Sequence, residues 1–274
     1  MAVSAAIGLC VGSFLNVVIH RLPRMMQAQW RAECASIEGR EAPPAERYNL
    51  WTPASHCPSC GTAIKPWHNV PVFGWLWLRG KCANCKAAIS ARYPLVELLG
   101  GILAALAAWR FGASVALPGA LVFGWALIAL TFIDFDTQLL PDDITLPLLW
   151  LGLASNAFGI YTDLRSAVLG AIAGYLVLWS VYWLFRLVAR KEGMGYGDFK
   201  LLAAIGAWVG WQVLPFVIVV SAGLGAVIGS IALAAAGKGR DTHIPFGPYL
   251  ALGGIAGLVW GREAVIAWLG RFPA

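Results

Sequence analysis

Gly193-Met194-Gly195-Tyr196-Gly197-Asp198-Phe199-Lys200 stands between two apolar runs, Leu169 to Ala189 and Phe199 to Trp211. Glycines at alternate positions relieve backbone crowding and let a neighbouring helix or a substrate backbone come close. The stretch delivers one carboxylate to the mouth of a hydrophobic segment. Asp is a good helix N-terminal residue, so the plainer reading of Asp198 is a cap. An ionisable group at membrane depth is, however, a functional hypothesis by default.

A second acid decides between these readings. Leu130-Thr131-Phe132-Ile133-Asp134-Phe135-Asp136-Thr137-Gln138-Leu139-Leu140-Pro141-Asp142-Asp143 closes a largely apolar run that starts at Val115. Asp134 is the acid embedded deepest in apolar sequence, and Asp136 points elsewhere if the helix continues. Two acids at the ends of different spans can share one proton, hold a water and act together as general base and general acid.

The chain resembles the type IV prepilin peptidase family of GxGD intramembrane aspartyl proteases. The resemblance is carried by Ile133-Asp134 through Leu139-Leu140-Pro141-Asp142 and by Glu192-Gly193-Met194-Gly195-Tyr196-Gly197-Asp198-Phe199-Lys200. Gly12-Ser13-Phe14-Leu15-Asn16 through His20-Arg21-Leu22-Pro23 and Ile244-Pro245-Phe246-Gly247-Pro248-Tyr249-Leu250 extend it over nearly the whole chain. It implies that Asp134 and Asp198 are the catalytic pair. It further implies cleavage of type IV prepilin or type II secretion pseudopilin leaders after Gly, and N-methylation of the new N-terminal residue, usually Phe, with S-adenosylmethionine. The proline-containing turn before the last span matches the family, although a plain turn into that span accounts for it as well.

Composition places the chain in a membrane. Of its 274 residues 59% are hydrophobic and only 12% charged, about half the charge of a soluble domain. The fold expected is an all-α polytopic membrane protein with about eight transmembrane helices and a cytoplasmic zinc-binding loop domain. The spans are expected near 1–19, 95–109, 115–133, 144–161, 167–188, 199–211, 213–236 and 248–269. The 199–211 segment is short for a crossing and is followed by Pro215; it is expected to tilt or to join the next run as a re-entrant element. Three parts follow: 1–19, a first transmembrane helix without the basic start and cleavage site of a signal peptide; 20–94, a cytoplasmic zinc-binding domain; and 95–274, the transmembrane peptidase domain. A net charge of +6 raises the possibility of nucleic acid, but the basic residues cluster in loops and no nucleic-acid partner is expected.

Half of the 20 Lys and Arg fall in residues 20–94. The positive-inside rule then makes that loop cytoplasmic. Short connections alternate the spans, so segments 134–143 and 189–198 face the same side, and the opposite side receives only Arg110, Arg165, Arg262 and Arg271. The expected location is the bacterial inner membrane, multi-pass in the lipid bilayer, with the acids at the cytoplasmic face.

Cys57-Pro58-Ser59-Cys60 and Cys82-Ala83-Asn84-Cys85 form two CxxC pairs with 21 residues between them. Four thiolates satisfy tetrahedral Zn²⁺ with no open position, which marks a structural site. Two disulfides are the alternative, which a reducing cytoplasm disfavours. His56 and His68 are spare donors that four Cys make unnecessary. Cys10 is expected as a small core residue of the first span, and Cys34 receives no role.

Asp136, Asp142, Asp143 and Glu192 form an acidic rim that would attract a leader peptide as basic as the resemblance implies; ordinary surface charge is the alternative. For Asp142 and Asp143, a favourable place at a helix N-terminus is the simpler reading. No Rossmann unit is present in residues 20–94, so any S-adenosylmethionine site is built differently. Arg92 and Glu97, at the junction of loop and span, are candidates for that site, or pair only with each other. Two other classes stay open: a transporter using the acids as a proton relay, and a non-catalytic pilin assembly platform. Transporter acids usually sit near mid-membrane, whereas these sit at span ends.

Overall fold

A computed structural model describes residues 1–40, 48–190, 194–236 and 245–269. Arg47, Glu192, Gly193, Ile244 and Arg271 lie outside the described residues. Nine α-helices are present among the described residues: α1 (Ala2–Ile37), α2 (Phe73–Trp77), α3 (Arg92–Phe111), α4 (Ala116–Thr137), α5 (Asp142–Ala157), α6 (Leu164–Ala189), α7 (Tyr196–Val209), α8 (Leu214–Ala236) and α9 (Gly247–Leu269). The protein is an all-α polytopic membrane protein. Six of its helices (α1, α3, α4, α6, α8 and α9) are long and apolar enough to cross a membrane. The two remaining sequence-predicted spans are α5, with 16 residues, and α7, with 14. Pro215 lies in the first turn of α8, where its missing N–H costs nothing; it starts that helix and does not fuse it with α7.

The chain forms two compact units, Met1–Trp109 and Arg110–Ala274. In the first, α1 does not stop at His20-Arg21 but runs 36 residues. At 1.5 Å per residue that is about 54 Å, well beyond the hydrocarbon thickness of about 30 Å. Good helix formers (Gln27, Ala28, Gln29, Arg31, Ala32, Glu33) continue the backbone past the apolar part. Arg21 is buried on α1 and donates to Asn49 O at 2.9 Å and Pro53 O at 2.6 Å, which ties the loop to the helix. Glycines let α1 and α3 touch backbone to backbone: a Cβ at Gly12 would stand 2.6 Å from Glu97 Cα, and one at Gly100 2.6 Å from Gly8 O. In lipid, where burying apolar surface drives little, such small-residue seams hold helices together. Cys10 is exposed on α1 rather than packed in a core.

The second unit is built around α7. From Phe199 to Val209 every residue but Lys200 is buried, so this helix is apolar all round because it faces protein on all sides. Gly170 of α6 and Gly206 of α7 meet with no space for a Cβ on either. Trp208 fills the middle of the unit, donates Nε1–H to Leu148 O at 2.8 Å and packs on Phe123 with ring centroids 5.1 Å apart. At the end remote from Asp198, buried Asn156 donates to Ala207 O at 2.8 Å and Trp208 O at 3.2 Å, and accepts from the N–H groups of Tyr161 and Thr162, both at 3.0 Å. These bonds satisfy carbonyls that the C-terminus of α7 leaves open.

Candidate active site and metal centre

The second unit gathers the C-terminus of α4 and the N-termini of α5, α7 and α9 at one end. Asp134, in the last turn of α4, is 5% exposed, and Asp198, in the first turn of α7, is 7% exposed. Asp134 Oδ2 accepts the Gly247 N–H at 3.0 Å, a first-turn donor of α9. Asp198 Oδ2 accepts the Gly195 N–H at 3.3 Å across the start of α7. Each acid therefore meets the positive end of a helix, where an anion is favoured and an orphan N–H finds its acceptor. Leu140 lies between their supports: a Cβ on Gly197 would stand 2.8 Å from Leu140 Cβ, and one on Gly247 3.2 Å from Leu140 Cδ2. Tyr182, Tyr196 and Phe199, near the start of α7, pack ring against ring with centroids 5.4 to 5.7 Å apart.

Asp136, Asp142 and Asp143 are exposed at this same end. Asp142 and Asp143 start α5 with Pro141 as the residue before it. Asp142 also pairs with Lys200 of α7 at 2.7 Å. The sequence reading missed that pair, and it missed the contact between Gly247 and Asp134. A glycine set directly before Pro248 at the start of a span was the available signal for the second.

In the first unit the two CxxC pairs are repeated turns. Cys57 N–H donates to Thr62 O at 2.9 Å and Gly61 N–H to Cys57 O at 2.8 Å; Cys82 N–H donates to Ala87 O at 2.8 Å and Lys86 N–H to Cys82 O at 3.2 Å. Gly61 and Lys86, each directly after the second cysteine, both have positive φ, +70° and +62°. The turns bring the four thiol sulfurs within 4.8 Å of one another, with Cys57 Sγ and Cys85 Sγ 3.7 Å apart. A zinc tetrahedron with bonds of about 2.3 Å has its sulfurs about 3.8 Å apart, so the cluster fits the ion. All four stand as free thiols in this arrangement. Thr62 beside Cys60 pulls its thiol down to about 6. For Cys85 the Ala87 backbone pulls down, but burial and the neighbouring thiols push it up to about 11. Neither His56 nor His68 belongs to the cluster.

Glu97 is buried and accepts the Val72 N–H at 2.7 Å. Its carboxylate thus anchors the loop to α3, a use that the sequence did not indicate.

Residues 6–111 match the bacterial peptidase A24 N-terminal domain, and residues 121–230 match the type IV leader peptidase family. The chain belongs to that family. It is 54% identical over 264 residues to a protein of Stutzerimonas stutzeri and 53% identical over 264 residues to one of Pseudomonas aeruginosa, covering 96% of this chain and 91% of each relative. An Aeromonas salmonicida protein is 52% identical over 263 residues, with 95% and 90% covered. All three carry the name prepilin leader peptidase/N-methyltransferase. No solved structure matches the chain. Members of this family are enzymes, and this chain is one of them.

Proposed function

We propose that the chain is a bacterial inner-membrane aspartyl endopeptidase that removes leaders from type IV prepilins or type II secretion pseudopilins and N-methylates the product. The observation that carries the reading is the convergence of two buried carboxylates, Asp134 and Asp198, each held through Oδ2 by one backbone N–H. That grip fixes both groups, and among the described residues it leaves their other oxygens for a water. One carboxylate takes a proton from the water as the water oxygen attacks the carbonyl carbon of the Gly that ends the leader. The other gives a proton to the amine as the C–N bond breaks, and the pair then exchanges roles by one proton. General acid–base assistance of this kind contributes about 10²–10⁴-fold.

Zn²⁺ on Cys57, Cys60, Cys82 and Cys85 would have a structural role, since four thiolates leave it no open position. Methyl transfer from S-adenosylmethionine is supported by the relatives' names. Among the described residues strand pairing is limited to the isolated bridges His56 with Ala63 and Lys81 with Ala88, which do not make a Rossmann cradle. The acids and the zinc module face the cytoplasm in this reading, which reporter fusions at Arg47 and Asp163 test by reporting opposite sides.

Asp134→Asn and Asp198→Asn keep size and hydrogen bonding but cannot exchange the proton. Either is expected to abolish cleavage of a prepilin with a Gly-Phe junction while a pre-cleaved pilin is still methylated. Asp136→Asn is expected to keep appreciable cleavage. Robust cleavage by Asp198→Asn would refute the pair, and a chain that only transports or assembles would leave prepilin uncut in the purified system.

A further inference from the structure

The first unit carries an apolar face that neither the four cysteines nor the peptidase chemistry uses. α2 turns Gly74 inward and holds Trp75 by an Nε1–H bond to Ile89 O at 3.1 Å. Its other side presents Phe73, Leu76 and Trp77, 66%, 56% and 78% exposed. These are positions i, i+3 and i+4, one helical stripe, and such a stripe ordinarily faces a core.

The height of this face relative to the membrane follows from one strained residue. Val72, which precedes α2, has φ +62° and ψ −51°, a conformation that β-branched residues avoid. Phe73 N–H closes a tight turn on Pro71 O at 2.6 Å. Strain of this kind persists only where the surroundings impose it, and here Glu97 Oε2 accepts the Val72 N–H at 2.7 Å. Glu97 lies five residues after Arg92 in α3, about 7.5 Å along the axis. The exposed apolar side of α3 begins at that level with Leu95, Leu98, Leu99 and Ile102. The strained turn thus sets α2 where a spanning helix passes from headgroups into hydrocarbon.

Composition agrees with that depth. Between Tyr48 and Val96 there is no Asp or Glu, while Lys65, Arg79, Lys81, Lys86 and Arg92 are all present. Tryptophan prefers the membrane–water interface, and juxtamembrane cations are drawn to anionic headgroups.

We propose that α2 is an interfacial foot: Phe73, Leu76 and Trp77 lie in the headgroup layer of an anionic phospholipid surface, and Lys65, Arg79 and Lys81 meet its phosphates. The foot holds the cysteine module against the bilayer instead of letting it swing on its connections. A protein occupant is the rival. It would need the face to clear the bilayer, whereas Glu97 ties the face to the start of the apolar part of α3.

The full-length chain in nanodiscs of phosphatidylethanolamine and phosphatidylglycerol tests this. A nitroxide is attached at residue 77 through a ketone-bearing amino acid, so that no cysteine is touched, and reference labels go at Ser59 and Ile102. The ratio of oxygen access to nickel-chelate access at 77 is expected to be severalfold above that at 59 and closer to that at 102. It is expected to fall when phosphatidylcholine replaces the anionic lipid. A label at residue 73 should give the same result, which keeps the test independent of damage at 77. Equal nickel access at 77 and 59 overturns the proposal. Protection from both reagents overturns it too, because a protein surface would then cover the face. A ratio unmoved by lipid charge overturns the role of the cations.

Discussion

Gly247 gives its backbone N–H to Asp134 Oδ2 at 3.0 Å and leaves no room for a side chain there, since a Cβ would stand 2.6 Å from that same oxygen. Gly247→Ala therefore forces the carboxylate off its donor. A misplacement of about 1 Å in an active site costs on the order of 10²-fold, so kcat for prepilin cleavage is expected to fall by about that factor. Thermal unfolding in detergent should change far less, because one methyl group is added at the edge of the unit. Cleavage within a few-fold of wild type would mean that this contact does not position the acid.

The cysteine cluster is expected to carry one Zn²⁺ per chain in protein purified without added metal. The four ligands must be thiolates, so lowering the pH pits protons against the metal and should release it, and raising the pH should favour retention. A metal-sensitive dye titrated between neutral and acidic pH reads this directly. Metal-free protein whose four thiols are oxidised would sink the idea.

Lys200 and Asp142 form a partly exposed ion pair that joins the N-termini of α7 and α5. Exposed pairs contribute about 0–1 kcal/mol. Lys200→Gln is thus expected to lower stability by no more than about 1 kcal/mol and to leave cleavage within a few-fold. A loss of two orders of magnitude would move Lys200 from the rim into the catalytic machinery.

The seam between α6 and α7 should be far less tolerant. Gly170→Leu places a branched side chain where Gly206 backbone already stands, and overpacking typically costs about 1–3 kcal/mol or more. The expected result is a lower melting temperature together with reduced cleavage, because Asp198 rides on the displaced helix. An unchanged melting curve would show that the seam is not close-packed.

The burial of Asp134 and Asp198 at helix ends and the clustering of the cysteines were legible because their chemistry contradicts their surroundings: carboxylates at the ends of apolar runs, and paired thiols in a polar loop. What holds the acids was not legible. The Gly247 bond joins residues 113 positions apart, and a glycine before a proline reads equally well as an ordinary turn. The length of α1 was missed for a related reason. Hydropathy falls at His20-Arg21, but a helix ends where its hydrogen bonding ends, and Arg21 finds carbonyl partners without leaving the helix. Glu97 looked like a candidate for methyl-donor chemistry or for an ion pair with Arg92; only the fold shows it gripping the Val72 backbone.

The enclosure of α7 bears on how the enzyme is made. At 14 residues the helix is about 21 Å long, too short to rest alone across a bilayer of about 30 Å, and it has almost no side to offer lipid. During synthesis it must settle against α5 and α6, which emerge before it, and its Asp198 then waits for a partner site that is still incomplete. Asp134 acquires its donor only when α9 delivers Gly247. The pair proposed to cut the leader is thus incomplete until α9 has been made and packed, so a chain stalled before α9 in the membrane poses no proteolytic hazard.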